Sequence, residues 1–427
     1  MRATGHIGTP QGNAVGGAIN NFTVEALRDL ARRRTPRVAF DYLDGGAGDE
    51  SALRLNLESF TKLKLVPRVM INTTQRSAAH TLFGEPVSMP LGVAPIGLAN
   101  FVWPGADKAI AKAAAQFGIP YILSSAASTS IEEIITAAPK TWFQLYVGSN
   151  PEIVDDLIDR AADAGCSVLV VTADVAAPGK RIRDLVNGFT LPLKPTVRGT
   201  IDLARHPRWC MATVRAGAPR FANLEKYGGV TSSALSLAAL QAAQISGRLD
   251  WQEFSRLRGR WRGRLLLKGV MDTRDARRAI DLGADGIILS NHGGRQLSSA
   301  PSPLDLARQV RRAIGSSAAL ILDGGVRSGE DICKALALGA DFVLMGRPFV
   351  YAVAALGLHG PSHLLKIVHD ELSRAMAQLG ACSIPELADV RIIDTALAGV
   401  SAKALSEAAS PGRISERLHP SPGTPQR

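Results

Sequence analysis

LLLKGVMDTRDARRAIDLGADGIILSNHGGRQ (265–296) decides the fold. LLLKGV and GIIL are continuous apolar runs without polar alternation, the pattern of strands buried on both faces. Between them lies a helical stretch that ends in Gly283, and glycine is favoured just past a helix end. The second run finishes in the polar cluster SNHGGRQ. The unit therefore reads strand, helix, strand, with chemistry gathered where a strand ends.

The same unit recurs in both directions. PLGVAPIG (90–97), YILSSA (121–126), TWFQLYV (141–147), SVLVVTAD (167–174), ALILDGGV (319–326) and FVLMGRP (342–348) join the two runs above to make eight. Helical stretches ending in Gly separate most of them, as in AAQFGIP, AADAGCS and ALALGAD. Eight such strands predict a (β/α)8 barrel, an α/β fold, with strands over about 90–348. The alternative, a doubly wound open sheet, is disfavoured because no GxGxxG follows the first strand.

Polar residues collect at the C-terminal ends of these runs: Ser124, Ser125, Gln144, Tyr146, Thr172, Asp174, Lys268, Ser290, Asn291, His292, Asp323, Arg327 and Arg347. In a barrel of this kind that rim carries the chemistry. DGGVRSG (323–329) and MGRP (345–348) each combine glycine with arginine after a late strand. Gly324 and Gly325 let backbone N–H groups approach an anion, and Arg327 and Arg347 supply charge, which predicts a phosphate site. His292 is a candidate general base, Asp174 its candidate orienting partner across the rim, and Arg295 a carboxylate binder. Lys268 ends an apolar strand, a costly place for an unpaired charge. Pairing with an aspartate, a Schiff base and a facing anionic cofactor are all open to it.

One connection breaks the rhythm. About 190–264 forms an insertion between strands 4 and 5. Its part from Lys194 to Lys226 holds seven basic and two acidic residues, with Trp209, Met211, Val214 and Phe221 interleaved. Insertions of this length on a catalytic face are more often functional than idle, the bland alternative being a loose lid-like loop. At the ends, residues 1–21 and 396–427 read as disordered tails. A helical cap runs from about Val24 to Leu43, interrupted at Thr35-Pro36, before the turn FDYLDGGAGDE (40–50). Residues 361–379 read as one amphipathic helix. Residues 22–395 thus form one catalytic domain.

The 427 residues carry a formal charge of +11, which is located rather than diffuse. Residues 1–40 contribute +4, 194–226 +5 and 401–427 +2, so the barrel body is neutral. That distribution, with cationic stems and aromatic residues as surface anchors, favours an anionic membrane surface at 194–226 over nucleic acid, for which no binding motif is present. The four cysteines are scattered, without CxxC spacing, so neither a disulfide framework nor a metal site is expected. With no signal peptide and no apolar run of about 20 residues, the expected location is the cytoplasm, peripheral on the inner face of the cell membrane.

These residues carry a resemblance. From about Phe22 to Leu387 the chain is similar to the FMN-dependent 2-hydroxy-acid dehydrogenases and oxidases, the family of glycolate oxidase, lactate dehydrogenase and mandelate dehydrogenase. SNHGGRQL resembles the active-site motif of that family. FDYLDGGAGDE, VAPIGL, WFQLYV, LLLKGV, DGGVRSG and MGR agree in order and spacing. WPGADKAIAKAAAQFGIPYILSSAAS, HPRW (206–209) and RFANL (220–224) are most similar to the mandelate and bacterial lactate dehydrogenase branch.

The resemblance implies an FMN enzyme that oxidises an (S)-2-hydroxy acid to the 2-oxo acid and passes electrons to quinone or another acceptor. It implies His292 as base, Asp174 as its partner, and Tyr146 on the substrate oxygen. Arg181, Arg295 and Tyr42 would grip the substrate carboxylate. Lys268 would face the flavin N1–O2 edge. Pro95, Ile96, Gly97, Ser124, Gln144, Thr172 and Ser290 would line the flavin. Asp323, Gly324, Gly325, Arg327, Gly346 and Arg347 would complete the phosphate end. A homo-oligomer, a tetramer in relatives, is also implied.

The chain departs from the family pattern at three places. Ser298 stands where most relatives have Asp after RQL, which bears on the loop and on Arg295. PGKRIRD sets Lys180 and Ile182 beside Arg181. Ala126 replaces a bulky Trp of glycolate oxidases, leaving room for a longer or aromatic substrate. Two competing readings remain, an O2-using oxidase that makes H2O2 and a non-redox FMN-barrel isomerase. The arginine pair and the His292–Asp174 pair argue against the isomerase.

Overall fold

The computed structural model describes residues 22–189, 196–217, 219–227 and 248–395. The expected tails, 1–21 and 396–427, lie outside them, as do parts of the insertion. All eight expected strands form: strand 1 (Leu91–Val93), 2 (Ile122–Ser124), 3 (Trp142–Tyr146), 4 (Val168–Thr172), 5 (Arg264–Val270), 6 (Gly286–Leu289), 7 (Ala319–Asp323) and 8 (Phe342–Met345). They are parallel and hydrogen-bonded in the order 1-8-7-6-5-4-3-2. A bridge between Val93 and Tyr121 joins the first to the second and closes the barrel.

Strand 4 explains why the runs are apolar throughout. Val168 and Val170 point into the barrel with Leu266, Ile288, Ile321 and Phe342. Leu169 and Val171 point outward, into the larger core beneath the surrounding helices. Neither face meets water, and each fully buried aliphatic side chain contributes about 1.5–3 kcal/mol. The N-terminal end of the barrel is closed by the hairpin His80–Leu82 with Glu85–Val87. Its Leu82 and Phe83 pack on the inner cluster, with the Phe83 and Trp142 rings 6.0 Å apart. The opposite end is left for chemistry.

The cap forms as two helices, Val24–Arg34 and Arg37–Asp44, broken where Pro36 cannot donate a helical hydrogen bond. The long amphipathic helix spans Gly360–Leu379. Part of the balanced charge of the barrel body is directly paired. Arg256, Arg258, Arg260 and Arg264 pair with Glu253, Asp155, Asp159 and Asp285, stitching the segment that leads into strand 5 to the helix Pro151–Asp163 and the loop before strand 6.

The insertion contains the helices Val197–Ala204 and Pro207–Ala216 and a short 3-10 turn, Glu225–Tyr227. Here the structure corrects the sequence reading of its aromatic residues as surface anchors. Trp209 is 4% exposed and its Nε1 donates to the Val102 carbonyl at 2.9 Å. Phe221 is also buried, and Asn223 accepts from Ile131 N and donates to the carbonyls of Ser124 and Thr129. These residues bind the insertion to the barrel. Among the described residues of the insertion, the apolar side chains that face solvent include Val197, Ile201, Met211 and Val214.

Candidate active site

At the C-terminal rim a cavity of about 370 Å³ opens between the cap, the strand ends and the insertion. Tyr42, Pro95, Ile96, Gly97, Tyr146, Thr172, Arg181, Lys268, His292 and Arg295 line it, as do Asp323, Gly324, Gly325, Arg327, Gly346 and Arg347. Ser124, Gln144, Asp174 and Ser290 stand behind this lining. They are buried or nearly so and hydrogen-bonded or packed to it.

His292 lies three residues beyond strand 6, rather than ending it. It adopts φ +58, a left-handed conformation that costs a non-glycine residue roughly 1–3 kcal/mol. Its backbone N–H donates to Ser290 Oγ at 3.0 Å. Its Nδ1 lies 2.9 Å from Asp174 Oδ1, which assigns the ring proton to Nδ1 and leaves Nε2 as the acceptor. Tyr146 Oη is 3.5 Å from that Nε2.

Asp174 reaches the imidazole because strand 5 bulges. Lys268, expected to end that strand, instead precedes a register shift between Lys268 and Val270. Gly269, at φ +96, occupies the shift. A Cβ there would stand 2.5 Å from both Cβ and Cγ of Asp174, so only glycine lets the carboxyl lie against this backbone. Burial works against the Asp174 charge, but His292 and Lys268 outweigh it and hold the carboxyl below its ordinary pKa.

Lys268 answers the question its position raised. Its ammonium lies 2.9 Å from Asp323 and donates to Ser290 Oγ at 2.8 Å. Burial disfavours its charge, and Asp323 and Asp174 more than restore it, raising its pKa. Ser290, which also donates to Asp323, links this pair to the His292 backbone.

Arg181 and Arg295 both lie over the Tyr42 ring, with Cζ to centroid distances of 5.3 Å for Arg295 and 5.8 Å for Arg181. Arg181 pairs with Asp184 at 2.6 Å. Arg295 is oriented by the Tyr42, Leu43 and Gly45 carbonyls, so its placement does not depend on the Ser298 side chain. Burial, together with Arg181 and Arg347, pulls the Arg295 pKa down to about 10. So much positive charge in one cavity calls for an anion. The Tyr42 hydroxyl donates to the Gly97 carbonyl at 3.2 Å.

At the other end of the cavity, Gly346 is the N-cap of the helix Arg347–Leu356 and gives it no side-chain cap. Arg327 stands beside it in the lining. Arg347 is more constrained than its motif suggests, donating to the Leu43, Gly293 and Gly45 carbonyls. Gly325 also has a packing reason to be glycine, since a Cβ would meet the Asn56 carbonyl oxygen at 2.1 Å.

Several contributors escaped the sequence reading. Asn56 exchanges paired amide hydrogen bonds with Asn291 and so supports the His292 loop. Val175, Phe189 and Gln296 line the cavity. Asp44 and Arg183 sit just behind it in an ion pair of 2.8 Å. Asn56, a polar residue on the inward face of a helix, was the one such signal available in the sequence.

The family model described as FMN-dependent dehydrogenase matches residues 31–394. The chain is 40% identical to (S)-mandelate dehydrogenase of Pseudomonas putida over 369 residues, 86% of this chain and 93% of that protein. It is 38% identical to an L-lactate dehydrogenase of Ectopseudomonas mendocina, covering 84% of this chain and 95% of that one. The crystal structure of the monotopic membrane protein (S)-mandelate dehydrogenase superposes with a TM-score of 0.85 at 39% identity, covering 88% of this chain and all of that one. An eight-stranded barrel with a histidine–aspartate pair and clustered arginines at its rim, matched along nearly its whole catalytic domain, belongs to the FMN-dependent dehydrogenase family.

Proposed function

We infer that the protein oxidises an (S)-2-hydroxy acid to the corresponding 2-oxo acid and delivers the electrons to a quinone-type acceptor at a membrane. The observation that carries this reading is the His292–Asp174 pair facing the same cavity as Arg181, Arg295 and Tyr42.

The residues present fit FMN. Gln144 Nε2 and Thr172 Oγ1 are buried without a partner among the described residues, as suits groups that would meet a flavin's polar atoms. The uncapped helix start at Gly346, with Arg327, suits a phosphate. Pro95, Ile96, Gly97, Ser124, Gln144, Thr172, Lys268 and Ser290 would hold the ring and ribityl chain. Asp323, Gly324, Gly325, Arg327, Gly346 and Arg347 would surround the phosphate end. When bound, FMN supplies the two-electron acceptor for the substrate α-carbon.

The side chains supply binding and proton transfer. Arg181 and Arg295 hold the substrate carboxylate, aided by Tyr42, and thereby orient the hydroxyl toward His292. His292 Nε2 removes the hydroxyl proton, and Asp174 offsets the positive charge that the ring gains. Tyr146, beside that nitrogen, contacts the same substrate oxygen. Lys268 keeps a fixed positive charge under the reacting region. Ala126 lines the cavity beside Gly97, and this small pair leaves space for a side chain larger than that of glycolate.

The insertion supports the membrane half of the reading. Val197 and Val214 are 80% and 82% exposed, among exposed Arg198, Arg205, Arg208 and Arg215. Aliphatic side chains amid cations suit an anionic lipid surface. Among the described residues no helix is long and apolar enough to cross a membrane.

The test is anaerobic mixing of purified holoenzyme with a panel of (S)-2-hydroxy acids while flavin absorbance is followed. Bleaching by mandelate- or lactate-like acids supports the reading, and no bleaching by any 2-hydroxy acid refutes it. Readmission of air then separates the acceptors, since stoichiometric H2O2 marks an oxidase.

A further inference from the structure

The rim residues read above would be useless without the right orientation, and the structure contains a device that sets it. Asp44 is buried, one residue from each of Leu43 and Gly45. The Leu43 and Gly45 carbonyls each accept from both Arg295 and Arg347, two guanidiniums that line the cavity. A carbonyl can steer an arginine only if its own peptide is held, and the Asp44 carboxylate holds this one from behind. It accepts from Arg28 at 2.6 and 2.7 Å, from Arg183 at 2.8 Å and from the Tyr351 hydroxyl at 2.7 Å. The donors come from three separate segments: the first cap helix, the helix after strand 8, and the short helix Ile182–Val186.

The Arg183 contact does a second job. Its guanidinium also pairs with Glu50, whose Oε1 accepts from Gly46 N at 3.0 Å, so both sides of the 43–46 turn are tied. Asn187 at the end of the same helix donates to Asp41 at 2.7 Å. Arg181 is the N-cap of that helix. A helix of five residues has little stability of its own. Its attachment to the cap therefore sets where Arg181 stands.

Building on the functional reading above, we propose that the Asp44–Arg183 ion pair is a positioning element that sets Arg295 and Arg347 through the 43–45 carbonyls and Arg181 through its helix. Neither residue lines the cavity. Their contribution is geometric, and a displacement of about 1 Å at a binding group can cost up to about 100-fold. Buried charge networks of this kind also make removal of one partner costly to stability, so the test must read orientation separately from folding.

The experiment compares wild type, Arg183→Met, Asp44→Asn and Asp44→Glu as full-length proteins. FMN affinity is titrated by flavin fluorescence on apoprotein. Carboxylate affinity is titrated on holoenzyme with phenylacetate, which has a carboxylate but no hydroxyl to oxidise. KM and kcat are measured at saturating FMN, and Tm is recorded for each. Expected are at least about tenfold weaker phenylacetate binding and higher KM for Arg183→Met, with kcat changed much less and FMN affinity lowered by a smaller factor, since Arg28 and Tyr351 still hold Asp44. Asp44→Asn should weaken both FMN and phenylacetate, and Asp44→Glu should restore most of both. The proposal is overturned if these variants lose Tm while both affinities stay within about twofold of wild type, the behaviour of a merely structural network. Should Asp44→Asn fail to fold, Arg183→Met decides alone. If wild type binds phenylacetate weakly and oxidises no 2-hydroxy acid, the functional reading falls instead, and the FMN titration of the Asp44 variants still tests the positioning of Arg347.

Discussion

Asp174 Oδ1 lies 2.9 Å from His292 Nδ1, although 118 residues separate the two in the chain. Under the proposed function this contact makes two rim residues a base and its orienting carboxylate. It exists because strand 4 and the loop after strand 6 flank strand 5, whose bulge at Gly269 clears the space between them.

Removing either partner should therefore cost turnover rather than cofactor. His292→Ala is expected to lower kcat by at least ~10²–10⁴-fold, the usual contribution of general-base catalysis, and Asp174→Asn by less. Both should purify with FMN absorbance near wild type. Steady-state rates and flavin spectra check this, and near-normal turnover of His292→Ala would sink the assignment.

The arginines should divide differently. On the proposed carboxylate grip, Arg181→Met and Arg295→Met would each remove charge-assisted hydrogen bonds to the substrate, worth about 1.5–3 kcal/mol apiece. KM should rise roughly 10–100-fold on that basis. A substrate amide, lacking the carboxylate charge, should be nearly insensitive to either change. Equal losses for acid and amide would argue against a carboxylate grip.

Asp107 gives a pH prediction. Its carboxyl is buried beneath the 128–129 turn and accepts from Ser128 N at 3.0 Å. Burial pushes its pKa up to about 7, against the hydrogen bonds it accepts from that turn. The folded protein therefore holds a proton that the unfolded chain releases near pH 4, so stability falls as pH rises from about 4 to 7. Asp107→Asn, which cannot ionise, should lack this loss. Its Tm relative to wild type should increase across that interval, and a difference independent of pH would refute the account.

The insertion prediction concerns lipid. Wild type should sediment with vesicles containing anionic lipid and dissociate as salt is raised. Val197→Asp combined with Val214→Asp should abolish sedimentation while leaving turnover of a soluble hydroxy acid with an artificial acceptor near wild type. Trp209→Ala should act otherwise. Truncating that buried side chain costs about 3–5 kcal/mol, so it should lower Tm rather than lipid affinity alone. Lipid binding unchanged in the double aspartate variant would exclude this face.

The sequence by itself determined the barrel. A parallel strand buried on both faces must be apolar at every position, and that requirement is written locally, eight times, between helices. It also pointed to the rim, because polar and charged residues gather just past the ends of those apolar runs, and in a barrel that end carries the cavity. Tertiary structure alone decided what those residues touch. Lys268 proved to be paired with Asp323, and Arg295 and Arg347 proved to be aimed by backbone carbonyls, which have no signature in sequence. Asp44 and Arg183 look like ordinary surface charges until the cap folds over the rim and buries their contact. Trp209 and Phe221 mislead for the same reason. An aromatic residue in a basic segment has one composition whether it anchors to lipid or to its own core, and only closure of the insertion onto the barrel distinguishes the two.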